Sequence, residues 1–177
     1  SVVEEARYTV DASFEVDTLN ERHELHLFVG TRRVATSRRT GLGNAAKSSA
    51  IESATSYHAD QVGTNVLLVK STSTSQLVSR AATDPFGMQT GGQATPRYLF
   101  TDQERDTETG LDDFGARTYD PLVGRFLEQD PELIGGKITY GRLEGDGANL
   151  NAYAYVLNRP TALTDPTGAF WSDGGEP

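Results

Sequence analysis

Ser56-Tyr57-His58-Ala59-Asp60-Gln61-Val62-Gly63-Thr64-Asn65-Val66-Leu67-Leu68-Val69 is the stretch that decides the fold class. Two short runs with strand character, 56–59 and 65–69, flank a polar turn that holds Asp60 and Gly63. That pattern reads as a β-hairpin. The signal recurs upstream. Residues 6–17 alternate apolar and polar, with Tyr8, Val10, Phe14 and Val16 at strand spacing and a bend at Ala12-Ser13. His23–Gly30 and Arg32–Ser37 read as two more strands about a turn at Gly30-Thr31. Gln76–Arg80 follows the Ser/Thr run 71–75 as another. Residues 40–56 hold only Leu42 and Ile51 as bulky apolar anchors and are expected to loop, as are the Gly-rich residues 88–97. Asn149–Val156 carries Leu150, Ala154 and two tyrosines near helical spacing, which predicts a short helix ended by Pro160.

Composition agrees with a turn-rich β chain. The 177 residues include 18 Gly and have a mean hydropathy of −0.48. Hydrophobic content of 36% is low for an independent core, though not low enough for disorder. Cysteine is absent, which excludes disulfides and thiolate metal sites. No apolar run is long enough to span a membrane as a helix. Ser1–Val10 is charged and lacks an apolar h-region, so it does not read as a signal peptide. The net charge of −9 sits in the second half: residues 81–177 carry seven basic and sixteen acidic groups, while 1–80 balance. Such a segment repels phosphate and argues against nucleic acid as its partner.

Few residues suggest metal or cofactor chemistry. His23 and His26 lie at odd spacing on a strand, hence on opposite faces, and read as structural. Arg32, Arg33, Arg38 and Arg39 read as a solvated strand surface facing nearby acids. The acidic run Asp102–Asp113 lacks the ligand pattern of a calcium loop and reads as a solvated face. No phosphate-binding glycine loop and no credible Ser/His/Asp set occurs. Neither a metal nor a cofactor is expected.

Four Asp-Pro steps punctuate the chain: Asp84-Pro85, Asp120-Pro121, Asp130-Pro131 and Asp165-Pro166. Asp84-Pro85-Phe86-Gly87 and Asp165-Pro166-Thr167-Gly168 have the form of type I turns. On spacing alone, each aspartate is a turn residue whose carboxylate caps local backbone N–H groups.

The order of these blocks resembles a known family. Tyr57-His58-Ala59-Asp60-Gln61-Val62-Gly63 looks like a tyrosine–aspartate (YD) repeat. Tyr98–Leu111 resembles the opening of the Rhs repeat-associated core domain. Ala116-Arg117-Thr118-Tyr119-Asp120-Pro121-Leu122-Val123-Gly124-Arg125-Phe126, Asp130-Pro131, Asn149–Pro160 and Asp165-Pro166-Thr167-Gly168 then follow in that family's order. The match runs over 57–168 and is weak over 23–39.

The resemblance implies a mainly β fold, in which short hairpins form part of a YD-repeat β-shell closed by a core-domain plug with one or two short helices. It implies terminal shell hairpins over 1–97, a core segment over 98–169 and the start of a variable tail over 170–177. It also implies a single self-directed cut of aspartic-protease type. The groups it assigns to that cut are Asp130, Asp165 and Arg117, and the bond is Ala169–Phe170. Two carboxyls held close can share one proton, and an arginine can orient one of them or steady an oxyanion. The sequence departs from the family at three places: Ala169 replaces the usual Leu, Gly135–Ala148 looks long, and Thr118 stands where an aromatic is common. The implied partners are the remainder of the shell, its enclosed C-terminal toxin, and a secretion apparatus or toxin-complex component. The implied setting is an exported bacterial toxin whose address lies elsewhere. Two alternatives stand beside it: a non-catalytic plug braced by the same residues, and a YD-repeat cell-surface interaction segment.

Overall fold

The computed structural model describes residues 7–18, 21–41, 51–92, 96–135 and 151–169. The fold is mainly β, as expected. Regular structure among the described residues is twelve strands, one short α-helix and two 3-10 turns (Phe100–Asp102 and Val156–Asn158): β1 (Arg7–Asp11), β2 (Phe14–Asp17), β3 (Arg22–Val29), β4 (Arg32–Thr40), β5 (Ile51–Ala59), β6 (Asn65–Ser71), β7 (Gln76–Thr83), β8 (Gln89–Gly92), β9 (Glu104–Arg105), β10 (Asp112–Asp113), β11 (Thr118–Asp120), β12 (Arg125–Phe126) and α1 (Pro131–Ile134). The chain divides into two compact units, Ser1–His58 with Leu67–Ser79, and Ala59–Val66 with Arg80–Pro177.

The strands β1 to β7 lie in chain order as hydrogen-bonded neighbours. The run 6–17 is not one bent strand but a hairpin, β1 antiparallel to β2. Asp11 makes that turn by accepting bonds from Ser13 N and Oγ at 2.7 and 2.5 Å. The loop expected over 40–56 is also shorter than its composition suggested. β5 begins at Ile51, where the register pairs Arg39 with Ile51 and Thr36 with Thr55. Small residues such as Ser53 and Ala54 carry no strong strand preference of their own, and pairing along β4 decides their conformation. Leu42 lies outside the described residues.

The sheet register sorts side chains into two faces. Glu15, Glu24, His26, Thr36, Arg38 and Ser53 share one, and Phe14, Leu25, Leu27, Ala35 and Ala54 share the other. The polar face is the more enclosed: Glu15, His26, Thr36 and Ser53 are buried, whereas Leu25 and Leu27 are 47% and 61% exposed. Buried polar groups call for partners, and the cross-strand pairs supply several. His26 Nδ1 meets Thr36 Oγ1 at 2.8 Å, its Nε2 lies 3.3 Å from Glu15, and Arg38 pairs with Glu24.

The second unit is built around rings. Phe100, Phe114, Tyr119, Phe126, Tyr155 and Val156 form a buried cluster, with Phe86 and Leu163 packed on it. Ring centroids lie between 5.0 Å (Tyr119–Tyr155) and 6.4 Å (Phe100–Phe114). A four-stranded antiparallel sheet in the order β12-β11-β10-β9 positions them, and its register pairs Tyr119 with Phe126. Gly87, at φ +88°, lies so close to the Phe100 ring that no Cβ fits there.

Three local expectations are corrected here. Residues 88–97 are not all loop, because β8 pairs with the end of β7 through Ala81–Gly92 and Ala82–Gly91. Asn151–Tyr155 is not helical, and Val156 opens only a short 3-10 turn, Val156–Asn158. Asn151 Oδ1 accepts from Tyr153 N at 3.0 Å, Phe126 N donates to Tyr153 O, and Ala154 bridges Arg125. This pairing with β12 replaces the helix and carries Tyr155 and Val156 into the core; Asn149 and Leu150 lie outside the described residues. Finally, the acidic run 102–113 is not a uniformly solvated face. Asp112 is fully buried and takes a bidentate pair from Arg105 at 2.7 and 2.7 Å, while Arg105 also donates to Gly87 O at 3.0 Å. Burial pushes the Asp112 carboxyl above its usual range, against the pull of Arg105.

Removing one member of a buried pair leaves the other charge uncompensated. Asp112→Ala is therefore expected to lower stability by about 3–5 kcal/mol, read from denaturant midpoints. An unchanged midpoint would show that the pair braces nothing.

Candidate functional site

All four Asp-Pro aspartates cap their own turns. Asp84 Oδ1 accepts from Phe86 N and Met88 N, both at 2.9 Å. Asp120 Oδ1 accepts from Leu122 N at 2.8 Å, and the turn closes through Gly124 N and Asp120 O at 2.9 Å. Asp130 Oδ1 accepts from Glu132 N (2.8 Å) and Leu133 N (3.2 Å), so it is the N-cap of α1, with Pro131 at the first helical position. Asp165 Oδ1 accepts from Thr167 N at 3.2 Å. The turn reading of these residues is thus physically realised.

Two of the four do more. The second carboxylate oxygen of Asp130 and that of Asp165 both face Arg117. Nη1 lies 3.1 Å from Asp130 Oδ2, and Nη2 lies 3.1 Å from Asp165 Oδ2. Arg117 and Asp165 are almost fully buried, with side chains 3% and 2% exposed, and Asp130 is 20% exposed. Arg117 Nη1 also donates to Ala152 O at 3.2 Å, and Nε donates to Gly168 O. The guanidinium lies over the Phe126 ring, 3.7 Å from its centroid, where the π-face attracts a cation.

The structure therefore brings Arg117, Asp130 and Asp165 together, although they are far apart in sequence. The chain past Asp165 is fixed beside them. Ala116 N donates to Thr167 O at 3.0 Å. Gly168, at φ +70°, presses so close that a Cβ would meet Phe114 Cβ and O at 2.9 Å and Arg117 N at 3.0 Å. Ala169 is half-buried; Phe170 lies outside the described residues, as does 136–148 of the long stretch Gly135–Ala148. Among the remaining motif residues, Arg125 and Phe126 form β12, and Pro166 O accepts from Gln103 Nε2 at 3.1 Å.

Residue patterns did not reveal the acceptors on Ala152 and Gly168, because backbone carbonyls leave no mark on residue identity. The Phe126 ring was visible within Gly124-Arg125-Phe126, but its position beneath Arg117 was not. Glu15, Glu24 and His26 offer the described residues' one group of potential metal ligands, with ligand atoms within 4.8 Å of one another. Arg38 already occupies Glu24, and Glu15 and Thr36 flank His26, so the group is satisfied by internal pairing. His23 lies on the other face.

No protein-family model matches the chain. It is similar to tRNA nuclease WapA of Bacillus subtilis (strain 168), at 32% identity over 117 residues, which is 63% of this chain and 5% of that protein. It is also similar to toxin subunit YenC2 of Yersinia entomophaga, at 42% identity over 74 residues, 42% of this chain and 6% of that one. The chain thus spans a small part of the length of these curated relatives. Its fold is similar to that in the TcdB2-TccC3 crystal structure, with a TM-score of 0.61 and 22% identity over 88% of this chain and 7% of that one. The chain is related to Rhs and YD-repeat-type toxins and toxin-complex components, as its motifs implied.

Arg117→Met would leave two carboxylates and two carbonyls without their shared donor, so stability is expected to fall by about 3–5 kcal/mol. Arg117→Lys should recover only part of this, since an ammonium cannot match a planar fork. Urea unfolding of both variants checks the order, and equal midpoints for Met and wild type would contradict it.

Proposed function

We propose that this relative of the Rhs-type toxins is the shell-closing core that cuts its own chain between Ala169 and Phe170, freeing a C-terminal toxin. The observation that carries the reading is that one guanidinium meets Asp130, Asp165 and the Gly168 carbonyl, one residue before the expected bond. In this reading 1–97 supplies shell hairpins, 98–169 is the core and 170–177 begins the variable tail.

The chemistry is hydrolysis by two carboxyls. The mechanism needs one carboxyl ionised and the other protonated, as in a paired-carboxyl site. The ionised carboxylate takes a proton from water as the water adds to the Ala169 carbonyl carbon. The protonated one donates to the carbonyl oxygen. Collapse breaks the C–N bond, the Phe170 nitrogen takes a proton, and Ala169 ends as a carboxylate. Arg117 fixes both carboxyls and, through Gly168 O, the strand that presents the bond. Ala169 in place of Leu anchors that strand with less apolar area, worth about 1–2 kcal/mol, which would slow the cut. The partners are the rest of the shell and its enclosed toxin, with a secretion-apparatus or toxin-complex component beyond. Neither nucleic acid nor membrane is a partner of this segment. The protein acts after export.

A second reading has its own support. Every group in the trio is also a brace, since both aspartates cap turns and Arg117 ties them, so a plug that cuts nothing would use the same contacts. Intact-mass measurement of the chain carrying a folded C-terminal extension separates the two. Self-cleavage predicts wild-type fragments parted at Ala169–Phe170 that stay associated, with Asp130→Asn and Asp165→Asn uncut. An Asn either turns its amide nitrogen toward Arg117 or gives up its turn, so each variant's unfolding midpoint is needed alongside. Cleavage that persists in either folded variant sinks the paired-carboxyl assignment, and an uncut, folded wild type leaves the plug.

A further inference from the structure

Gln103 is a polar side chain to which the mechanism gives no part. Its Nε2 donates to Pro166 O at 3.1 Å, across 63 positions of sequence. A backbone carbonyl can only accept, so the amide nitrogen and not its oxygen faces Pro166. The contact completes a series. Pro166, Thr167 and Gly168 are the three residues before Ala169, and each of their carbonyls is met by a donor: Gln103 Nε2, Ala116 N at 3.0 Å and Arg117 Nε. Ala116 and Arg117 belong to one tight turn, closed by Phe114 N donating to Arg117 O at 3.1 Å. All three donors act on the N-terminal side of the expected bond.

Gln103 is itself held in place. Its N donates to Phe100 O at 2.9 Å, and its O accepts from Leu99 N at 3.2 Å. The next residue, Glu104, pairs with Asp113 across β9 and β10 and bridges Tyr98. The turn that leads into Gln103 puts Thr101 (φ +47°) and Asp102 (+62°) in the left-handed region, which L-residues seldom take. Thr101 N donates to Thr64 Oγ1 at 3.3 Å and Asn65 Nδ2 donates to Asp102 Oδ1 at 3.1 Å, which fixes that turn. A side chain presented from such a base places its partner more precisely than one on a free loop. Gly168 supplies the other constraint. A Cβ there would stand 2.9 Å from Phe114 Cβ and O, so its slot admits glycine alone. Sliding the segment by one or two residues would bring Pro166, Thr167, Ala169 or Phe170 into the slot, each with a Cβ. Glycine thus fixes the register, and the donors to the carbonyls fix the orientation within it.

We propose that Gln103 is a positioning residue for the cut: its amide holds the Pro166 carbonyl and steadies the segment that leads to Ala169–Phe170. The inference rests on the self-cleavage reading and adds a residue to it. A side-chain amide does not titrate, so Gln103 acts through placement and not by exchanging protons. The contact is exposed and water competes for it, so its loss is expected to slow the cut by about threefold to tenfold and not to stop it.

Time-resolved intact mass of the full chain with its folded extension tests this, using Gln103→Met, Gln103→Glu and Gln103→Lys, each with its urea midpoint. Gln103→Met keeps the length of the side chain and has no donor. Gln103→Glu keeps the shape and turns an oxygen toward Pro166 O. Gln103→Lys restores a donor. At the wild-type midpoint, Gln103→Met and Gln103→Glu are expected to cut about threefold to tenfold more slowly. Their fragments should still end at Ala169, because the glycine slot is intact. Gln103→Lys should recover most of the wild-type rate. Wild-type rates in Gln103→Met and Gln103→Glu overturn the inference, as does a Gln103→Lys chain as slow as Gln103→Met. Slowing that merely follows the midpoints of the three variants overturns it too, since Gln103 would then be a brace. In each of these results a cut wild type leaves the self-cleavage reading standing. An uncut wild type overturns both.

Discussion

One buried cation organises the second unit. Arg117 spans two carboxylates and two backbone carbonyls and rests on an aromatic face. Taking a guanidinium out of water is costly unless its donors are met, and here the chain meets them from four places: Asp130, Ala152, Asp165 and Gly168. That requirement draws together segments that sequence separates by up to about fifty positions. It also explains the division of labour within each aspartate. Oδ1 satisfies the turn that follows, leaving Oδ2 free to aim at Arg117. A turn residue and a site residue are the same residue here because a carboxylate has two oxygens.

The rest of the second unit reads as support for that cation. The ring cluster provides the low-dielectric floor, which strengthens every pairing above it. Arg105 and Asp112 tie β9 to β10 and to Gly87, which lies against Phe100. The first unit follows another plan. Its sheet encloses a charged and hydroxyl-rich face held together by pairing, and leaves Leu25 and Leu27 largely open.

Much of this was legible in residue order, for identifiable reasons. Hairpins with polar turns, such as β5–β6 about Asp60 and Gly63, are local, and Asp60 Oδ1 does cap Val62 N and Thr64 N. The Asp-Pro turns were legible for the same reason. Partner-dependent structure was not. Ile51–Thr55 and Gln89–Gly92 have weak intrinsic preference and become strands only by pairing with β4 and β7. Asn149–Val156 has helical spacing, yet its described part makes a turn at Asn151–Tyr153 and bridges β12 through Ala154. Asp112 looked like one more solvated acid because its partner across the sheet, Arg105, is set by register and not by neighbourhood. The trio of Arg117, Asp130 and Asp165 was singled out by family resemblance alone; no local pattern distinguishes Asp130 and Asp165 from Asp84 and Asp120. Only the guanidinium does.

Whether this cluster performs chemistry is decided most directly by the oxygen of the new chain end. The chain with its folded extension, made and matured in water enriched in oxygen-18, should yield an N-terminal fragment that ends at Ala169 and carries heavy oxygen in its terminal carboxylate. That result requires water to have added to the Ala169 carbonyl. An intact chain, a fragment ending at another residue, or an Ala169 end without heavy oxygen would contradict the account.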